Sequence, residues 1–492
     1  MTSSTTNNST TDLPIIIVGA GPCGLVAAAT LQKHGVPFVI IERASRAKIC
    51  SNAGSGFELA PTAVEILENR LGFDVSKIVS YYQAMSIMTA EGKRVRYIQL
   101  PSDYKGGSVN RAEMQNFLLG HIFPTPKDEE GILFCGSGIE TYQEEEGRVV
   151  ATLASSDSNS GPKETITGSV LLACDGIHSR CRAVMHGGYD STTGKPQKNI
   201  DPTHFCGALC YWGKTAAPQG SELLKEFVKT QKASEKDTTN NTAFLFGLTT
   251  HKAPAAFFVI PTKDKKMLIW AITVNAEAPR ANKSDNKGTD LTRRGGGVLT
   301  DAEKKRLFSM GKDCDKESVL RGITNFPLIE KLIDQTPAED ITEAGLYDRK
   351  NLDLPFTSEK KLVALLGDSA HPQTPFLGQG ANMAITDAYV YASSIGVAYT
   401  TKKKSMAETI ADTDTNLRRQ QASKIVQDAR FICNLTCSQN ILYTSAMWLY
   451  MKFAPSDTFL NQMVEFDKSN NDYLKQLDEG TYSPKESGVS PQ

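Results

Sequence analysis

The chain lacks a strong charge of either sign, a paired-cysteine motif, a long apolar run and any internal repeat. Its 54 Lys and Arg against 55 Asp and Glu leave a net charge of −1 over 492 residues, which removes the electrostatic case for nucleic-acid binding. The ten cysteines include Cys206 with Cys210 and Cys433 with Cys437, but no Cys-x-x-Cys pair. Free thiols in a reducing compartment are expected, and no metal site. No run approaches the roughly 20 apolar residues that span a bilayer, so a cytoplasmic location is expected. Met1 to Asp12 has no apolar core and no basic residue. It reads as a disordered tail, not as a secretory signal or a transit peptide. At 40% hydrophobic and 22% charged residues the composition is that of a globular protein, and the length fits two or three domains.

What the chain does have is concentrated between Ile15 and Glu42. The apolar run Ile15-Ile16-Ile17-Val18 has the length of a buried parallel strand. Gly19-Ala20-Gly21-Pro22-Cys23-Gly24 follows at once, then an alanine-rich helical stretch, then Phe38-Val39-Ile40-Ile41-Glu42. Each part has a physical task in dinucleotide binding. Gly19 permits the strand-to-helix turn, Gly21 lets backbone N–H groups approach a pyrophosphate, and Gly24 lets the helix lie close to the sheet. The helix N-terminus offers unpaired donors to the phosphates, and Glu42 can hold the ribose hydroxyls of an adenosine.

Two further signals each follow a buried strand. One is Leu171-Leu172-Ala173-Cys174-Asp175-Gly176, running on to Ser179 and Arg182. The other is Leu365-Leu366-Gly367-Asp368-Ser369-Ala370-His371, running on through Pro375-Phe376-Leu377-Gly378-Gln379-Gly380-Ala381-Asn382. Strands are also expected over 205–211, 243–248, 255–260 and 267–274, the last two joined as a hairpin. A helical tail is expected over 406–453.

Taken together, the three signals and Val109-Asn110-Arg111 resemble the class A flavoprotein monooxygenases, the family of aromatic hydroxylases and related epoxidases, over most of the chain up to about residue 400. The resemblance implies an α/β fold: a discontinuous Rossmann-like FAD-binding domain (11–85, 108–186 and 341–400), an antiparallel β-sheet substrate domain (86–107 and 187–340) and a C-terminal helical segment (405–480). It implies FAD held by Gly19, Gly21, Gly24, Glu42 and Arg43. Arg111 would approach the phosphate–ribityl region, and Asp368 would bond the ribityl chain. Asp175 and Gly176 would serve both FAD and NAD(P)H. Pro375, Gly378, Gln379, Gly380, Ala381 and Asn382 would flank the flavin ring.

The resemblance also implies the activity. Nicotinamide would reduce the flavin, molecular oxygen would form a C4a-hydroperoxide, and one oxygen atom would pass to an aromatic or apolar small molecule by hydroxylation or epoxidation. The flavin then carries the chemistry, and no catalytic residue is assigned; Tyr211 and His251 are the nearest to substrate-side bases, and His371 reads as structural. Phe244, Phe246 and Trp270 are candidate pocket residues. The apolar segment 441–454 is expected to pack on the body of the protein, with contact to a membrane surface as the alternative. A flavin reductase or halogenase of related fold and a non-catalytic protein are the alternatives to a monooxygenase. The Trp-x-Trp-x-x-Pro segment of the halogenases does not occur.

Overall fold

The strands that carry the three signals lie side by side. In the computed structural model, a parallel sheet runs in the order Val363–Leu365, Val170–Ala173, Ile15–Val18, Phe38–Glu42, Leu133–Cys135. The structure describes residues 13–50, 55–89, 91–154, 163–187, 201–231, 243–248, 255–263, 266–276, 296–309, 318–320, 326–350, 352–438 and 440–479. The expected N-terminal tail lies outside them.

The Ile15–Val18 strand is buried along its whole length, as a central parallel strand covered on both faces must be. On one face, Ile15, Ile17, Val170, Leu172 and Ala364 pack against helices Pro22–Lys33 and Gly380–Thr401. On the other, Ile16, Leu171, Ala173 and Val363 meet a three-stranded antiparallel layer and the Ala422, Ile425 and Val426 side of helix Asn416–Thr436. Two glycines make this packing possible. A Cβ on Gly24 would stand 1.9 Å from the Gly19 carbonyl oxygen, and one on Gly367 would stand 2.7 Å from the Ala384 Cβ.

The second sheet has eight strands in the order Gly296–Val298, Ile341–Arg349, Thr203–Ala216, Met267–Asn275, Ala255–Pro261, Ala243–Leu248, Ala84–Met88, Arg94–Gln99. Its pairs are antiparallel except Ala243–Leu248 with Ala84–Met88. The Thr203–Ala216 strand is longer than the sequence pattern predicts. A register shift between Phe205 and Leu209, with Gly207 at φ 75°, lets it bend without ending. Strand Ile341–Arg349 pairs into this sheet, so the expected boundary at residue 341 is corrected: the chain leaves the eight-stranded sheet only after Arg349.

The eight-stranded sheet has two unlike faces. Tyr211, Phe257, Leu268, Trp270 and Ile272 pack against helices Glu222–Gln231, Asp301–Leu307 and Pro327–Gln335. The opposite face presents Cys206, Ala208, Cys210, Trp212, Phe258 and Ala271 toward Phe376 and the Cys433 and Cys437 end of helix Asn416–Thr436. Two C-terminal helices, Ile441–Phe453 and Ser456–Asp478, complete the molecule. Among the described residues no helix is long and apolar enough to cross a membrane.

Candidate active site

The candidate site begins at the glycine loop. The helix Pro22–Lys33 starts at Gly21 with no side-chain cap, so its first N–H groups are free for a ligand. A Cβ on Gly21 would meet nothing within 4 Å, whereas one on Gly19 would collide with the Cys174 carbonyl oxygen at 2.4 Å. Gly21 therefore borders open space, and Gly19 is fixed by packing at φ 106°.

Glu42 ends its strand with both carboxylate oxygens engaged by backbone. The Ala20 and Ala44 N–H groups donate to it, each at 2.7 Å. It braces the glycine loop, and each oxygen keeps a second lone pair. Arg43 beside it is exposed. Arg111 opens helix Arg111–Ile122, where Asn110 caps the Ala112 N–H and Gln115 Nε2 donates to the Ala20 carbonyl at 2.9 Å. The two motifs are thus joined by a direct hydrogen bond.

Asp368 faces the same space. Its side chain is reached by solvent, yet protein surrounds it closely enough that burial pushes its carboxyl up, against the pull of His371, Arg111 and Arg182. Arg111 shows the mirror image. Burial lowers its guanidinium, while Glu42 and Asp368 support the charge. Neither the Asp368 carboxylate nor the Arg111 guanidinium has a hydrogen-bond partner among the described residues. Charged groups held in a cleft with open hydrogen-bonding capacity fit a polar ligand. The donor set is that of a dinucleotide cradle: backbone N–H groups, a cation, and two acids placed to accept from hydroxyls.

Asp175 does something different. Its carboxylate accepts from Ser179 Oγ at 2.6 Å and from the Cys181 N–H at 3.0 Å, so it fixes the start of helix Arg180–Met185. Gly176 turns at φ 78° beside it. Arg182 then locks this motif to the third one. Its guanidinium donates to the carbonyls of Ile177, Asp368 and Ser369.

The loop after Asp368 runs from an exposed Pro375 to Gly378 at φ 64°, then into helix Gly380–Thr401, which also begins without a side-chain cap. A Cβ on Gly380 would stand 3.9 Å from Asp368 Oδ1. Ala381 is half-buried. Asn382 holds the loop to strand Gly56–Leu59. Its Nδ2 donates to the Gly378 and Glu58 carbonyls at 2.8 and 3.2 Å, and its Oδ1 accepts from the Ala60 N–H at 2.8 Å. Gln379 is buried and accepts from Asn470 Nδ2 of the last helix at 3.4 Å. His371 is structural, as expected. Its Nε2 lies 2.6 Å from Asp387 Oδ2, and Arg418 Nε donates to the other oxygen at 2.8 Å. Burial opposes the Asp387 charge, but Arg418 and His371 outweigh it and hold the carboxyl at about 2.

The substrate side corrects part of the sequence reading. Trp270 is 1% exposed and points into the helix-covered face, where its Nε1 donates to Thr215 and Thr336, each at 3.1 Å. Tyr211 shares that face and stacks edge-on with Phe308. Neither residue faces the loop Pro375–Gly380, because both fall on the opposite parity of their strands. Position 246 pairs with Phe258 and position 244 with Met85; the Phe244 and Phe246 side chains and His251 lie outside what the structure describes. The residues that do meet the loop were not singled out from sequence: Trp212 and Phe258 form a half-buried aromatic group with Phe376 of the loop. Alternation places Trp212 on the face opposite Tyr211 but does not say which face meets the loop.

Comparison with known proteins agrees with this geometry. The FAD binding domain family matches residues 12–201 and 349–429. An FAD-dependent monooxygenase of Penicillium canescens is 22% identical over 454 residues, covering 88% of this chain and 83% of its own. The chloroplastic zeaxanthin epoxidase of Solanum lycopersicum is 24% identical over 77% of this chain and 47% of its own. Among solved structures, Klebsiella pneumoniae HpxO complexed with FAD and uric acid superposes with a TM-score of 0.69 at 18% identity, covering 93% of this chain and 97% of that one. A salicylate hydroxylase substrate complex gives 0.59 at 19% identity, covering 92% and 98%. A glycine-loop strand, two further strand-end motifs and an uncapped helix around one cleft, together with these matches, place the chain in the class A FAD-dependent monooxygenase family.

Proposed function

We propose that this enzyme uses NAD(P)H and molecular oxygen to hydroxylate or epoxidise an aromatic or apolar small molecule in the cleft between the two sheets. The observation that carries this reading is the convergence of Glu42, Arg111 and Asp368 on the uncapped N-termini of helices Pro22–Lys33 and Gly380–Thr401, with Arg111 and Asp368 open for ligand bonds.

The residues divide by task. Gly19, Gly21 and Gly24 with the first helix would take the pyrophosphate of FAD, and Glu42, flanked by Arg43, the adenosine ribose. Arg111 and Asp368 would take the phosphate–ribityl region, with the backbone at Asp175–Gly176 alongside. Pro375 and Gly378 to Asn382 would flank the ring, where a helix N-terminus stabilises an anion by roughly 0.3–2 kcal/mol. When bound, FAD supplies the reduction and oxygen chemistry. The chain's own residues orient the substrate and exclude water: Trp212 and Phe258 make the wall that meets Phe376 of the loop.

The test begins with the cofactor. Denaturation of the purified protein is expected to release FAD rather than FMN. NAD(P)H oxidation is then followed across flat ring compounds, beginning with uric acid and salicylate. A true substrate should gain one labelled atom from isotopic oxygen and raise the oxidation rate at least about tenfold, which asks only about 1.4 kcal/mol of the barrier. Full-speed oxidation without substrate, with stoichiometric peroxide and no labelled product from any ligand, would make the protein an oxidase and end the reading.

A cytosolic location fits the free thiols among the described residues. One helix adds a second reading of how substrate arrives. Ile441–Phe453 packs Met447 and Met451 onto the body near Phe376, while Leu442, Tyr443, Leu449 and Phe453 are 50–73% exposed with Lys452 beside them. An apolar stripe with a flanking lysine suits peripheral contact with an anionic lipid surface. Flotation with liposomes containing phosphatidylserine is expected to carry the full chain and not the Leu442→Ser/Leu449→Ser/Phe453→Ser variant. Equal absence of both from the lipid fraction removes the membrane contact.

A further inference from the structure

We propose that Glu58 is a positioning residue for the loop Pro375–Gly380: its carboxyl group, held by Tyr104, packs against Gly378 when neutral and loosens the loop from strand Gly56–Leu59 when charged. The inference rests on reading 375–380 as the cofactor loop.

Three contacts place the carboxyl there. A Cβ on Gly378 would stand 3.1 Å from Glu58 Oε2. Tyr104 donates from its hydroxyl to Oε1 at 3.2 Å. The Glu58 carbonyl is tied to the same loop through Asn382 Nδ2. The strand that carries Glu58 crosses tightly beneath the eight-stranded sheet, since a Cβ on Gly56 would meet Ile269 Cδ1 at 2.5 Å. Glu58, partly buried, therefore sits where strand Gly56–Leu59 meets the loop.

The charged and titratable groups that face it are Tyr104 and Tyr82 from the turns beside strand Gly56–Leu59 and Asp467 from the last helix. Burial is the largest influence and pushes the Glu58 carboxyl up to about 7; the Tyr104 hydrogen bond pulls it down, and Asp467 adds to the rise. A group with that affinity changes charge near neutral pH. A charged carboxylate packed against the loop gains by fuller hydration, which the loop allows by moving away. Neutral Glu58 carries no such demand.

Hydrogen exchange of the 375–381 amides in the purified full-length chain, corrected for the chemical exchange rate, reads loop opening directly. Between pH 5.5 and 8.5 protection is expected to fall at least about tenfold, the linkage for a proton affinity that differs by one unit between packed and open loop, with a midpoint near 7. Glu58→Gln should keep the loop protected at every pH. Tyr104→Phe should move the midpoint upward, because the phenol's bond favours the charged form. A flat profile in the wild type, a fall that survives in Glu58→Gln, or a midpoint unmoved in Tyr104→Phe would overturn the proposal. The last comparison decides if Glu58→Gln does not fold. Each readout is independent of oxygen transfer, so failure of the monooxygenase assignment would show in product analysis and not here.

Discussion

At Asp368 a side chain with no hydrogen-bond partner among the described residues stands at the end of a buried strand, within reach of solvent. Replacing it with Ala should weaken FAD binding by about 1–3 kcal/mol, the loss of a buried hydrogen-bonding group, while leaving thermal stability of the cofactor-free chain near wild type. Flavin fluorescence titration and a melting curve check the two halves. His186 gives a pH effect on stability. Burial, and then the charge of Arg349, hold its imidazole down at about 4, and its Nε2 lies 3.1 Å from Arg349 Nη2, a bond that needs the neutral ring. In the unfolded chain the ring takes its proton near about 6.5. Between these values the unfolded state binds more protons, so stability is full above about 6.5 and is lost as pH falls toward 4. Urea midpoints at pH 7 and 5 should differ more for the wild type than for His186→Gln.

Elements obey a sharper contrast. Gly21 and Gly24 lie one helical turn apart, but a Cβ at Gly24 would overlap the Gly19 carbonyl, and one at Gly21 meets only open space. Gly24→Ala should therefore yield little folded protein, whereas Gly21→Ala should fold and lose FAD affinity; soluble yield and flavin titration separate them. This contrast also shows what the sequence could reveal. The glycine loop is local, so strand, turn, helix and terminal acid all appear within one short stretch. Asp368 announces itself at the end of an apolar run, and Arg111 through the resemblance of Val109-Asn110-Arg111 to the family. Trp270 could not be placed in the same way. Leu268, Trp270 and Ile272 do share a face, but alternation says only that they agree with one another, not which face meets the flavin loop. Glu58 carried no pattern at all. Its significance depends on Tyr104, Gly378 and Asp467, which chain folding brings from three distant segments. Asp175 carried its strand-end position in the sequence but not its bonds to Ser179 and the Cys181 N–H, which fix the start of the next helix.

Across the whole molecule, the last helix reaches back to the site. Asp467 accepts from the Thr62 N–H, Asn470 meets Arg418 and Gln379, and Arg70 pairs with Asp478. A chain ending at Pro455 should lose FAD affinity along with stability, and Asn470→Ala should reproduce part of the affinity loss with a smaller change in melting temperature. Normal flavin uptake by the truncated chain would show that this helix is packing alone.

The parallel sheet takes its central strand from Ile15–Val18, that strand's neighbour from Val170–Ala173, and the edge strand beyond from Val363–Leu365. Synthesis on a ribosome meets these in order, at roughly 5–20 residues per second, so the first strand waits on the order of 20–70 s for the last. Through that interval the emerging chain exposes a fully apolar strand edge, which is the hazard chaperones exist to cover. The cradle is unfinished until helix Gly380–Thr401 has left the exit tunnel, so flavin uptake comes late in synthesis. Expression yield should then depend on holdase supply during synthesis more than on flavin supply, and a slower translation rate should lengthen the exposed period instead of relieving it.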